Sequence, residues 1–136
     1  MRQYRGRRKD TGEWVYGWLV VTDKAHYIIP NGVKEITTVG GGRIIKRNDM
    51  IEVIPETVGQ SSGLKDCNEA EVFEGDIIKP FRNYRVFYVV ERFRCGLICK
   101  RVDDPFVTLD PYNVRDNCIV IGNIHDHPHL LKGEGQ

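Results

Sequence analysis

The chain has no apolar run approaching the roughly 20 residues of a membrane-spanning helix, so no membrane partner is expected. It also has almost no net charge: 20 Lys and Arg stand against 19 Asp and Glu, giving +1. Bulk electrostatics therefore gives no reason to expect nucleic acid or an anionic surface. The basic start Met-Arg-Gln-Tyr-Arg-Gly-Arg-Arg-Lys has no apolar stretch behind it, which argues against a secretory signal and for a cytoplasmic location. Cysteine is scarce. Cys67, Cys95, Cys99 and Cys118 contain no Cys-x-x-Cys spacing and, without secretion, are expected to be reduced. Gly40-Gly41-Gly42 lacks the Gly-Lys-Ser/Thr ending of a phosphate loop. A Gly-x-Ser-x-Gly nucleophile elbow, a dinucleotide fingerprint and a paired metal-ligand motif are all missing. Internal repeats and low-complexity tracts are missing as well. These absences leave no cofactor to name and point away from an enzyme; Cys95 and Cys99 are the only nucleophiles that would merit a test.

What is present is strand signal. Hydrophobic residues make up 40% and charged residues 29% of 136, enough for a buried core in one domain or in a small barrel with an appendage. Glu13–Val21 reads EWVYGWLVV, with Trp14, Tyr16 and Trp18 on one face and Val15, Gly17 and Leu19 on the other. Asp10-Thr11-Gly12 turns this strand back onto one near Gln3–Arg8. Further strands are predicted at His26–Ile29, Val33–Thr38, Thr57–Leu64, Val72–Phe73, Asp76–Lys79, Tyr84–Phe93, Leu97–Val102, Pro105–Leu109 and Cys118–Ile121, while Ile51–Ile54, a short apolar segment stopped by Pro55, marks the boundary between the N-terminal section and the barrel. Neither face of Tyr84–Phe93 is fully polar, which predicts cover on both sides, by a second sheet or a second subunit. Only the end looks helical, a single turn through Pro128–Leu131 with Asp126 as its cap.

Between Val58 and Lys79, the glycines read as backbone requirements. Gly59, Ser61 and Gly63 would make one strand face of almost no volume. Lys65-Asp66-Cys67-Asn68 reads as a tight turn. Gly75 supplies a positive φ, and Asp76 caps a local backbone group before Ile77 and Ile78 enter the core. A carboxylate site from Glu71, Glu74 and Asp76 has no nucleophile or metal partner beside it.

Two clusters could carry chemistry. His125, His127 and His129 alternate in "HDHPH" and could ligate zinc, nickel or copper with Asp126 adding an oxygen; the plainer reading is a solvated terminal turn. Lys79, Arg82, Arg85, Arg92, Arg94, Lys100 and Arg101 interleave with Phe81, Tyr84, Phe87, Tyr88 and Phe93, the composition of a single-strand nucleic-acid groove. Arg2, Arg5, Arg7, Arg8 and Lys9 could extend that footprint. The plainer reading puts the aromatics in the core and the cations in solvent. Glu52–Asp76 is acidic in turn, and an acidic and a basic surface on one small chain also fit self-association.

"TVGQSSGLKD", then "EVFEGDIIK", then "VIGNIHDHPHLL", with "VYGWLV" before them, resemble in order and spacing the YopX-like proteins of bacteriophages and prophages. The resemblance spans about Trp14 to Leu131. It implies a mainly β fold containing an SH3-like barrel, and no characterised activity or catalytic residue. The chain departs from it twice. Asn68-Glu69 stands where such proteins often have Asn-Gly, which predicts a longer or altered loop. The three histidines are the chain's own.

The sequence thus predicts a mainly β protein: an N-terminal β section over 1–56, an SH3-like barrel over 57–131, and a frayed tail over 132–136. It predicts a phage or prophage accessory protein acting in the bacterial cytoplasm by binding, as a homo-oligomer or on a host or phage protein. A single-stranded nucleic-acid binder is the alternative.

Overall fold

The structure is a computed structural model and describes residues 3–32, 36–37, 43–44, 49–80, 82, 86–93, 96–104, 107–109 and 114–132. The chain is mainly β, as the sequence predicts, and divides into two compact units, Met1–Gln60 and Ser61–Gln136.

In the first unit, β1 (Tyr4–Arg7), β2 (Trp14–Val21) and β3 (His26–Pro30) form an antiparallel meander. The short β4 (Ile36–Thr37) and β5 (Arg43–Ile44) pair only with each other among the described residues. β6 (Ile51–Val53) adds to the far side of β3, giving the order β6-β3-β2-β1. The ends of this series then meet. Arg8 bridges Val53, Lys9 N–H donates to Glu52 C=O at 3.0 Å, and Ile54 N–H donates to Arg7 C=O at 2.9 Å. A single 3₁₀ turn, Pro55–Thr57, follows β6 and leads into β7 (Gly59–Lys65), whose first residues pair with β1. Thr57 fixes that corner: its hydroxyl donates to Ile54 C=O at 2.6 Å and accepts from Arg7 N–H at 2.9 Å.

A Cβ at Gly17 would lie 1.9 Å from Ile29 O, so β2 and β3 approach as closely as backbone allows there. The enclosed core is Val15, Ile28 and Val53, with Tyr4, Leu19, Ile51 and Val58 packed against it. The alternation predicted for β2 is realised: Val15 and Gly17 are buried, Tyr16 and Trp18 exposed.

The second unit takes over along β7. Ser61 and Lys65 pair with β8 (Glu71–Phe73), with a bulge between them. Gly63 sits in that bulge at φ 77 and is exposed, whereas Gly59 and Ser61 are buried. The expected small-residue face therefore stops at Ser61, because the bulge breaks the two-residue period. β9 (Asp76–Pro80), β10 (Tyr88–Phe93), β11 (Gly96–Arg101) and β12 (Thr108–Leu109) form a second meander, and β13 (Cys118–Asn123) pairs with the other edge of β9. In residues 57–131, where an SH3-like barrel is expected, the described strands form this open five-stranded sheet and a hairpin; the closed ring lies in the first unit.

Both faces of the five-stranded sheet are covered by the chain's own second unit. Ile78, Tyr88, Val90, Cys99 and Cys118 face Val72 of β8 and Val114 of α1 (Val114–Asn117), a helical turn the sequence did not announce. Ile77, Phe87 and Val89 face Leu130 of the closing 3₁₀ turn, Pro128–Lys132. That cover accounts for the two apolar faces of β10 without a second subunit. β10 begins at Tyr88, later than the predicted Tyr84; residues 83–85 lie outside the described residues.

Candidate binding surface

The outer face of β1 and β2 follows from a turn and two periods. The loop after Arg8 is short, with Gly12 N–H donating to Arg8 C=O and Arg8 N–H to Glu13 C=O, both at 2.8 Å. Gly12 takes φ 77, as the Asp-Thr-Gly signal requires. That turn sets the register Arg5↔Tyr16 and Arg7↔Trp14, so β1's arginines and β2's aromatics share a face. The Arg5 guanidinium carbon lies 4.8 Å from the centre of the Trp14 ring, and that of Arg7 5.2 Å. Guanidinium over indole is attractive by about 0.5–2 kcal/mol, more as water is excluded. Arg5 is 6% exposed, so the contact is largely desolvated. Beside this stack, Tyr16 is 40% and Trp18 38% exposed, with Trp18 opposite the buried Ile29. The face thus presents two large aromatic rings from one rigid strand.

Of the other N-terminal cations, Arg2 lies outside the described residues, and Arg8 and Lys9 are paired. Arg8 makes a two-pronged contact to Asp10, both bonds 3.0 Å, and Lys9 reaches Glu52 at 3.1 Å. The Arg8 hydrogen bond holds the Asp10 carboxyl below its usual range, and Asp10 raises Arg8 in turn. These four side chains, with Met50 and Ile51, line an open cleft of about 410 Å³. Its acids and bases answer each other, so the cleft offers no base poised beside a nucleophile.

The basic segment of the second unit is distributed differently from a groove. Register places Arg92 and Arg101 on one sheet face and Lys79 and Lys100 on the other. Lys100 pairs with Glu91 at 3.2 Å, Arg92 with Glu74 at 3.8 Å, and Arg101 with Asp103. The Arg101 hydrogen bond holds the Asp103 carboxyl low. Arg82 is exposed; Arg85 and Arg94 lie outside the described residues, as do Phe81 and Tyr84. Phe87 and Tyr88 are buried at 5% and 9% exposure, so they are core and not stacking platforms.

The histidines are arranged by Asn123. Its side-chain oxygen accepts from His125 N–H at 3.0 Å and Asp126 N–H at 2.8 Å, and its amide donates to Asp126 at 2.9 Å. Asn123 thus organises the turn over Asn123–Asp126, which leads into the closing 3₁₀ turn Pro128–Lys132. His127 Nδ1 accepts from Asn123 N–H at 3.2 Å, and its ring lies against Gly122. His127 and His129 meet edge to face with centroids 6.0 Å apart. Among the described residues no group of three His, Cys, Asp or Glu is placed to hold a metal ion.

The turns between Val58 and Lys79 do structural work. Asp76 Oδ2 accepts from Phe73 N–H at 2.8 Å, as expected, and Gly75 takes φ 93. The larger anchor is Asp66, which sequence reading placed only in a turn. It is 1% exposed; Oδ1 accepts from Asn68 N–H at 2.8 Å and Ala70 N–H at 2.9 Å, and Oδ2 from Val120 N–H at 2.9 Å. Glu71 is exposed, Glu74 is half-buried against Arg92, and Asp76 is held by Phe73 N–H. Cys99 is buried, and Cys95 lies outside the described residues.

A family profile described as YopX protein matches residues 3–132. The chain belongs to the YopX family. Among solved structures, the crystal structure of protein EF1440 from Enterococcus faecalis is similar to this YopX chain, with a TM-score of 0.66 and 24% identity over 96% of this chain and 98% of that one. At that identity the likeness shows a shared fold. No curated protein matches. The YopX motifs now have physical content: Gly17 of "VYGWLV" is the close approach of β2 to β3, and Asp66 of "TVGQSSGLKD" is the buried loop anchor. No described helix is long and apolar enough to cross a membrane.

Proposed function

We propose that this YopX protein is a non-enzymatic binding module of a phage or prophage, working in the host cytoplasm through the outer face of β1 and β2. The observation that carries the reading is the exposure of Tyr16 and Trp18 beside a Trp14 ring covered by Arg5 and Arg7. Trp, Tyr and Arg dominate the energetics of protein interfaces because they bury much area at little entropy cost. A strand holds them in place before the partner arrives, which lowers the cost of binding. The partner is a protein, and a second copy of this chain is the first to test.

The experiment is sedimentation velocity over a concentration series for the wild type and for Tyr16→Ala/Trp18→Ala, together with recovery of partners from prophage-induced cells with and without nuclease. A wild-type complex that the double variant loses supports the reading. An unchanged complex in the variant overturns it. The exposed aromatic pair also favours a second reading, base stacking by single-stranded nucleic acid. A salt-dependent shift on single-stranded DNA or RNA that the double variant abolishes would put that reading first.

A further inference from the structure

The loop after β7 brings two cysteines together that are far apart in sequence. Cys67 N–H donates to Cys118 C=O at 3.0 Å, and next to it Val120 N–H donates to Asp66 Oδ2 at 2.9 Å. Backbones joined in this way hold their Cα atoms within about 6 Å, inside the range a disulfide spans. The two residues differ in access. Cys67 is half-buried, whereas Cys118 is fully buried. We propose that Cys67 and Cys118 form a redox modification site, at which a low-molecular-weight disulfide such as oxidised glutathione converts the two thiols into one intrachain disulfide that fastens the Asp66–Ala70 loop to β13.

The chemistry balances in two exchanges. The Cys67 sulfur, having lost its proton, attacks one sulfur of oxidised glutathione; the other sulfur leaves with the electron pair as glutathione thiolate. The Cys118 sulfur then gives up its proton and attacks the Cys67 sulfur of the mixed disulfide, expelling the second glutathione thiolate. Two protein thiols lose two electrons, glutathione disulfide gains them, and the two protons end on the two glutathione thiols. Access sets the order. Burial, and then the neighbouring Cys67, push the Cys118 thiol up to about 11, so Cys118 is a poor first attacker and serves as the resolving thiol. The Asp66 bonds keep the loop seated, so the second exchange is intramolecular.

The test treats the full chain with oxidised glutathione at mildly alkaline pH, then maps unreduced peptides by mass spectrometry. The expected product has lost two hydrogens and contains Cys67 joined to Cys118. Deuterium exchange at Asn68 and Ala70 slows in it. Cys95→Ser/Cys99→Ala retains the cross-link. Because Cys118 is fully buried and Cys118→Ser can fail for reasons of folding, Cys67→Ser carries the control: folded by circular dichroism, it leaves Cys118 unmodified. A mixed disulfide that persists at Cys67, a cross-link to Cys95 or Cys99 instead, or modification of Cys118 in Cys67→Ser would overturn the proposal.

Discussion

Removing the Asp66 side chain is the most direct test of how the second unit is held. Asp66 is 1% exposed and accepts three backbone N–H groups, two from its own loop and one from Val120, 54 residues away. Intramolecular hydrogen bonds contribute about 1 kcal/mol each, and more when they leave a buried donor unpaired. Asn68 and Ala70 are exposed, so water replaces part of their loss; Val120 is half-buried and is less easily resolvated. Asp66→Ala is therefore expected to cost about 3 kcal/mol. Asp66→Asn is the sharper variant, because it keeps size and one acceptor oxygen. Its amide NH₂ must face at least one backbone N–H, donor against donor, and the expected cost is about 2 kcal/mol. Both Trp residues lie in the first unit, so indole fluorescence does not report this site. Native-state hydrogen exchange at Val120 does: Asp66→Ala should lower its protection about 100-fold, since about 1.4 kcal/mol is a factor of ten. Unchanged exchange at Val120 in both variants, or Asp66→Asn as protected as wild type, would refute the reasoning.

Three further outcomes follow from other positions. Gly17→Ala places a Cβ 1.9 Å from Ile29 O, a backbone atom that cannot rotate away, so it should cost at least about 3 kcal/mol in urea unfolding followed by indole fluorescence. Glu69 is held at φ 66, a region that disfavours a side chain, and its ion pair with Lys65 is long at 3.9 Å and exposed. Glu69→Gly should therefore stabilise by about 0.5–1 kcal/mol in thermal unfolding, with Glu69→Ala near wild type; a destabilised Glu69→Gly would contradict this. The Cys118 thiol, raised from 9.0 to about 11, favours the folded state below its unfolded pKa, and this contribution is lost as pH rises through the folded one. Stability measured by urea denaturation between pH 9 and pH 11 should thus fall less steeply with rising pH for Cys118→Ala than for wild type.

The alternating faces of β2, the Asp-Thr-Gly turn, the Gly75–Asp76 cap and the terminal turn were legible because each depends on residues within a few positions of one another. The altered loop at Asn68-Glu69 was legible too. It is a three-residue turn in which Glu69 itself adopts the left-handed conformation, with Glu69 N–H donating to Asp66 C=O at 3.0 Å. The candidate surface was half legible. Trp14, Tyr16 and Trp18 shared a face in sequence, and so did Arg5 and Arg7, but only the register of the hairpin laid one set on the other. A count of turn residues could have supplied that register.

By itself the sequence determined the β class, most strand positions and the turn chemistry, because two-residue periodicity and positive-φ residues are local properties, and its ordered motifs carried the resemblance to the YopX family. Only the tertiary structure decided which aromatics are core and which are surface. Phe87 and Tyr88 look like a stacking platform in sequence, yet they are buried because both faces of β10 meet other segments of the same unit. Tertiary pairing also decided that the closed ring runs through Arg8 and Val53, and that Asp66 and Cys67 meet β13. Contacts across some fifty residues leave no period in the sequence. They arise when unpaired backbone donors and acceptors find each other in the folded chain.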